Sequence, residues 1–459
     1  MSADLLIHGQ RVVTPEGVRP AALVVTDGVI TRVTDVGERM GSRERFDAGN
    51  LVVMPGLVDT HVHVNEPGRT EWEGFAHATR AAAAGGVTTL VDMPLNAIPA
   101  TVTVAALEVK RRAAVGQCHV DVGFWGGIVP GNGPELAGLA AAGCLGFKAF
   151  LVNSGVPEFP AASYDDLSSA LPLLARLGCP LLVHAEDPTV VDRARASLGA
   201  VDPRDPAAWA AGRPPAAEEE AVDRLIDLAR RHAAHVHVVH VAAAGAVDRI
   251  RRAKRDGVRI SAETCPHYLC FALTEVPQGA TLFKCAPPIR EAHHRERLWS
   301  GLADGTLDLV ASDHSPAPPA LKRVDSGRFD EAWGGIASLE LALSVVWTGA
   351  SSRGHHVADV ARWMAARPAD LAGLGSRKGR LAAGADADIV VLDPDATYHV
   401  DPAALHHRHP LTPYAGHELA GVVQRTYVRG RLAFERGRPF GAPQGVLLSR
   451  AWTPGATRT

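Results

Sequence analysis

Hydrophobic and polar positions fall into two textures along the chain. Residues 1 to about 53 carry short β-type runs, Leu5-Leu-Ile, Val12-Val and Ala22-Leu-Val-Val, broken by the turn formers Pro15-Glu-Gly and Asp27-Gly. From residue 54 onward, short apolar runs alternate with segments of helical period. Strands are predicted at Leu57–His63, Val87–Met93, His119–Trp125, Leu145–Leu151, Leu181–Ala185, Val236–Ala242, Val258–Glu263 and Leu307–Ser312. Helices are predicted between them at Glu73–Ala84, Val102–Ala114, Pro134–Ala142, Tyr164–Leu177, Ala216–Ala233 and Ala246–Arg255, with a last one at Ile336–Trp347. Gly85-Gly86 suits the C-terminus of the first helix. Beyond about residue 375 the β texture returns in Asp388-Ile-Val-Val-Leu-Asp, Gly421-Val-Val and Gln424–Val428.

Eight strands alternating with helices predict an α/β fold, a (β/α)8 TIM barrel. A doubly wound open sheet shares the alternation, but no Gly-x-Gly-x-x-Gly turn follows an early strand. Neither chain end holds a complete core. The expected organisation is therefore a barrel over residues 54–374 and one small β domain assembled from residues 1–53 and 375–459.

Composition narrows the class of function. At 459 residues and 46% hydrophobic, the chain can bury one large core. Its 47 basic and 50 acidic residues are mixed, giving a net charge of −3 without a basic stripe that would attract nucleic acid. No apolar run is long enough to span a bilayer. The start, Met-Ser-Ala-Asp-Leu-Leu-Ile-His-Gly, lacks a signal peptide's basic and apolar regions. Cys118, Cys144, Cys179, Cys265, Cys270 and Cys285 form no Cys-x-x-Cys pair and read as free thiols. A cytoplasmic location is expected.

The candidate chemistry converges on one end of the predicted barrel, where catalytic groups sit at the C-terminal ends of strands. His61 and His63 share a face of the first strand because alternate residues point the same way. Lys148 lies on the fourth strand, His184 on the fifth, His240 near the end of the sixth and Asp313 after the eighth. Neutral imidazoles and a carboxylate are ligands for zinc-like ions. A protonated lysine would repel a metal, but burial favours the neutral amine, which reacts with CO2 to give a carbamate whose two oxygens can bridge two ions. Strand parity sets His235 and His237 opposite His240, toward helix packing or solvent. His267 and His314 are candidates for groups behind the ligands or beside a substrate. His293, His294 and the cluster His406-His-Arg-His409 lie in polar stretches and are expected to be solvated.

With these residues in hand, the chain resembles the amidohydrolase superfamily, in its branch of cyclic-amide hydrolases. The likeness spans nearly the whole chain, including Gly384-Ala-Asp-Ala-Asp-Ile-Val-Val at the return to β texture. It implies two divalent ions, zinc foremost, held by His61, His63, carboxylated Lys148, His184, His240 and Asp313, with Asp313 as general base and then acid. Within the branch, the allantoinases are most similar. The matching segments are residues 64–75, Asp92-Met-Pro-Leu-Asn-Ala-Ile-Pro99, Ser154-Gly-Val-Pro-Glu-Phe-Pro160 and Phe283-Lys-Cys-Ala-Pro-Pro-Ile-Arg290. Gly212-Arg-Pro with Glu218 also fits, although allantoinases usually carry Ser before that Arg-Pro. The resemblance implies allantoin as substrate, opened to allantoate, and a homotetramer.

Asn65 and Asn96 are the expected substrate contacts. Dihydroorotases carry Arg where Asn65 stands, suiting a carboxylate on their substrate, and Met-Pro-Asn where Leu95 here displaces the asparagine to Asn96. An uncharged amide matches the neutral ureido group of allantoin. Loops 153–160 and 187–215 are expected at the pocket rim. A hydantoinase (dihydropyrimidinase) or dihydroorotase-like enzyme is the alternative of the same class. A non-catalytic scaffold relative is the alternative of another class, against which the intact ligand set argues.

Overall fold

A computed structural model describes residues 3–36 and 41–450. The expected β-domain segments 1–53 and 375–459 therefore extend beyond it at residues 1–2, 37–40 and 451–459. Barrel strands 1 to 8 are Leu57–Val62, Val87–Asp92, Asp121–Phe124, Phe147–Phe150, Leu181–His184, Val236–Val238, Ile260–Thr264 and Leu309–Val310. Strand 3 continues past Trp125 as Gly126–Gly127, which carries the parallel pairing to strand 4. The ring closes where Val62 bridges His314 in parallel and the His63 N–H donates to the His314 carbonyl at 2.9 Å. Nearly every strand residue is buried, because helices cover the outside and side chains fill the inside.

The covering helices follow their sequence signals. Tyr164–Leu177 starts at a capping box between Ser163 and Asp166 and stops at left-handed Gly178. The helix predicted from Ile336 begins instead at Ala342. Residues 336–341 are diverted because the Ser338 and Leu339 N–H groups both donate to His314 Nδ1, at 3.1 and 3.3 Å, and Ile336 bridges to His314.

Among the described residues, an eight-stranded sheet draws on both chain ends. Val52–Pro55 is its seam, running parallel to Ala3–Thr14 and antiparallel to Ile389–His399. One residue, Gly56, then leads into barrel strand 1. A Cβ there would meet the Thr88 side chain at 2.2 Å, so only glycine permits the approach. Sheet and barrel are also joined electrostatically. The buried Lys378 ammonium donates to Asp121 of strand 3 at 2.7 Å and to Asp388 at 2.7 Å, with Asp386 at 2.9 Å. Arg429 pairs with Asp121 as well.

Candidate metal centre

The barrel brings all six candidate ligands to one mouth, and all six are buried. His61 ends strand 1 with Val62, and His63 follows. His184 closes strand 5, and His240 and Asp313 lie just past strands 6 and 8. His61 Nε2 is 3.2 Å and His63 Nε2 3.5 Å from the same oxygen, Asp313 Oδ1. The His240 ring lies 5.4 Å from that of His61 and 4.6 Å from that of His184, centroid to centroid. His240 and Asp313 both hold left-handed backbone, φ 41° and 46°. Such strain persists only where surrounding structure enforces it and gathers at functional sites.

Protonation states suit a metal. Burial lowers the pKa of His63, lowers that of His184 to about 4 and that of His240 well below its usual value, so their imidazoles are neutral at pH 7. Burial also lowers Lys148 from 10.5 to about 7. Its Nζ has no hydrogen-bond partner among the described residues, nor has His240 Nδ1.

The remaining ring nitrogens are tied from behind. His61 Nδ1 lies 2.5 Å from Glu263 Oε1, and an ionised carboxylate only accepts, so the proton sits on Nδ1. The lone pair on Nε2 then faces the Asp313 carboxylate at 3.2 Å, a meeting of two acceptors that a shared cation relieves. His184 Nε2 is 2.6 Å from Glu186 Oε2, and Glu186 also receives Arg213. Nitrogen and oxygen donors, neutral imidazoles and an orphaned buried amine together fit divalent ions of the zinc type.

The cluster opens into a cavity of about 530 Å³, lined by Asn96, Trp209, Trp333 and Lys284 besides His61, His63, His184, His240 and Asp313. Residues 153–155 line it as expected, and so does the 187–215 stretch, which is not a loop but mostly two helices, Pro188–Ser197 and Pro206–Ala211, each opened by an Asp cap followed by Pro. Trp333 seats on Gly155, where a Cβ would stand 3.1 Å from the indole.

Several expectations need correction. Asn65 is buried and does not line the cavity; its Nδ2 lies 3.4 Å from the Pro316 carbonyl. Its φ of 67° gives the reason, since Asn tolerates the left-handed turn entering Glu66-Pro-Gly. Asn96 does line the cavity, with Nδ2 3.5 Å from His63 Nδ1. His237 is fully buried and bonded to Glu263, rather than packed against a helix or solvated. Parity fails because strand 6 ends at Val238 and the left-handed turn at His240 re-aims that side chain. His235 is half-buried against Ser261 Oγ. His294 is buried, receiving the Ala244 N–H, whereas His293 is exposed as expected. Within residues 406–409 only His407 is buried; His406 meets Glu340 and Arg408 donates to the Glu73 carbonyl, both half-buried, and His409 keeps an exposed contact with the Glu71 carbonyl. His267 and His314 are buried behind the mouth.

Glu263, Glu186 and Lys284 were not singled out in the sequence. Glu263 carried a signal, as the one carboxylate within an otherwise small or apolar strand end.

The sequence model of the Amidohydrolase family matches residues 52–433. The chain belongs to the amidohydrolase family. Among curated family members, it is 51% identical to the allantoinase of Streptomyces avermitilis over 97% of this chain and 99% of that protein. It is 43% identical to the allantoinase of Arabidopsis thaliana, over 94% and 88% respectively. Among solved amidohydrolase folds, L-hydantoinase (dihydropyrimidinase) from Arthrobacter aurescens superposes with a TM-score of 0.94 at 30% identity, covering 98% of this chain and 100% of that one.

Proposed function

We propose that this amidohydrolase opens the hydantoin ring of allantoin by hydrolysis, yielding allantoate. The observation that carries the reading is the end-to-end match at 51% identity to a curated allantoinase. Of the cations lining the cavity, Arg213 is tied to Glu186, Lys284 donates to the Ala332 carbonyl at 2.6 Å, and Arg195 lies over the Trp209 ring.

In this reading His61, His63, Lys148 as its carbamate, His184, His240 and Asp313 hold two divalent ions, zinc foremost. Bound there, the ions supply Lewis acidity that polarises the scissile carbonyl and makes water a nucleophile at neutral pH. Asp313, open to the cavity and steadied by Ser315 Oγ at 3.0 Å, takes a proton from the attacking water and returns it to the leaving nitrogen. Glu263 and Glu186 hold the His61 and His184 rings in their tautomers. Trp209 and Trp333 wall the cavity. The catalytic unit spans residues 54–374, flanked by the β segments 1–53 and 375–459. A homotetramer in the cytoplasm completes the proposal; no described helix is long and apolar enough to cross a membrane.

The test is a substrate panel with metal-replete protein: allantoin, hydantoin, dihydrouracil and dihydroorotate. Allantoin is expected to be turned over well and dihydroorotate barely. A preference for hydantoin or dihydrouracil would move the assignment to the hydantoinases.

A further inference from the structure

We propose that Ser261 and His237 are positioning residues for the metal centre, acting through Glu263 to fix the tautomer of His61. Four hydrogen bonds link five side chains from the barrel mouth toward its amino-terminal floor. His61 Nδ1 meets Glu263 Oε1 at 2.5 Å, and His237 Nε2 meets Glu263 Oε2 at 3.1 Å. His237 Nδ1 meets Ser261 Oγ at 2.8 Å, and His235 Nε2 meets the same hydroxyl at 2.7 Å. Glu263 and His237 are fully buried, so water does not substitute for a missing partner.

The chemistry of the donors sets a single direction along this chain. An ionised Glu263 only accepts, so it takes the proton-bearing nitrogen of both His61 and His237. With a single proton on His237, held at Nε2, Nδ1 presents a lone pair that the Ser261 hydroxyl fills by donating. The Ser261 oxygen, its proton spent, accepts from His235. Every hydrogen bond therefore points toward Glu263, and the lone pair of His61 Nε2 is left facing Asp313. Reversing the Ser261 hydroxyl would protonate His237 at Nδ1 and turn an acceptor onto Glu263 Oε2. Glu263 would then be free to rotate away from His61, and the ring would lose the partner that aims it.

The inference rests on His61 being a metal ligand, and the two can fail separately. His61→Ala with undiminished zinc content would reject the ligand assignment while saying nothing against the hydrogen-bond chain. For the chain itself, zinc retention is measured by chelator competition on the full-length holoprotein. Ser261→Ala is expected to lose zinc about tenfold more readily, as partners behind a ligand typically cost. Ser261→Thr, which keeps the hydroxyl, should hold zinc like wild type. Melting temperatures of the metal-stripped proteins distinguish a packing defect, which would lower stability and leave zinc affinity alone. Equal zinc retention in folded Ser261→Ala and wild type overturns the proposal. Neutron diffraction from the deuterated wild type gives a second decision that survives a variant failing to fold. Deuterium on His61 Nδ1, His237 Nε2 and His235 Nε2 supports the assignment, and deuterium on His237 Nδ1 rejects it.

Discussion

Lys148 and Phe150 stand two apart on barrel strand 4 and share a face, with Lys148 Nζ 4.6 Å from the centroid of the Phe150 ring. No acceptor joins it there among the described residues. Burial lowers its folded-state pKa to about 7. Between about 7 and 10.5 the unfolded chain binds the extra proton, so stability of the metal-stripped protein rises with pH through that window. Below it the penalty is complete, at most about 5 kcal/mol. Lys148→Met should therefore raise the melting temperature of metal-stripped protein at pH 7, with the gain shrinking by pH 10, and abolish turnover. A gain that does not depend on pH would show that the amine is not the source of the penalty.

Metal analysis provides the second check. Six convergent ligands exceed what one tetrahedral zinc needs, so replete protein should carry close to two divalent ions per chain. Stripping them should abolish hydrolysis, and readdition should restore it. Full activity with a single ion would refute the binuclear centre.

Glu186 serves two buried partners, His184 and Arg213. Glu186→Gln keeps the shape but leaves the Arg213 charge unmatched, at a cost of about 3–5 kcal/mol. The same change should weaken metal binding about 10–100-fold through His184. Thermal melts and chelator competition read the two effects independently. Unchanged values in both would mean that Arg213 finds another anion.

Asn65 now carries a conformational prediction. Because its φ is 67°, Asn65→Gly should leave kcat/KM for allantoin within about twofold of wild type, while Asn65→Ala costs about 1 kcal/mol of stability. Asn65→Arg, placing a buried charge without a partner, should fold poorly. A large loss of kcat/KM in a stable Asn65→Gly variant would return this side chain to the substrate.

The barrel and its mouth were legible because they rest on local rules. Alternation of apolar strands with capped helices marked Tyr164–Leu177 at both ends, and position at strand ends gathered His61, His63, Lys148, His184, His240 and Asp313. What escaped depends on backbone turns and on partners distant in sequence. The left-handed turn at His240 breaks the parity on which the sequence argument for His237 relied, and a left-handed Asn65 is a backbone demand that a comparison of side-chain chemistry does not report. Glu263 reaches His61 across 202 positions of chain, a pairing no local pattern reports. His314 likewise delays a helix by capturing two amides that would otherwise begin it.

Lys378 gives the molecule its mechanical unity. Its ammonium is the buried counterion of Asp121 in the barrel wall and of Asp386 and Asp388 beside the flanking sheet. Peeling the sheet away would take both Lys378 and Arg429 from Asp121, so neither part can melt alone without breaking these buried ion pairs. Heat should accordingly undo the barrel and the sheet in one cooperative transition. Removing residues 375–459 would then leave an unstable barrel with an acidic flaw in its floor, prone to aggregate.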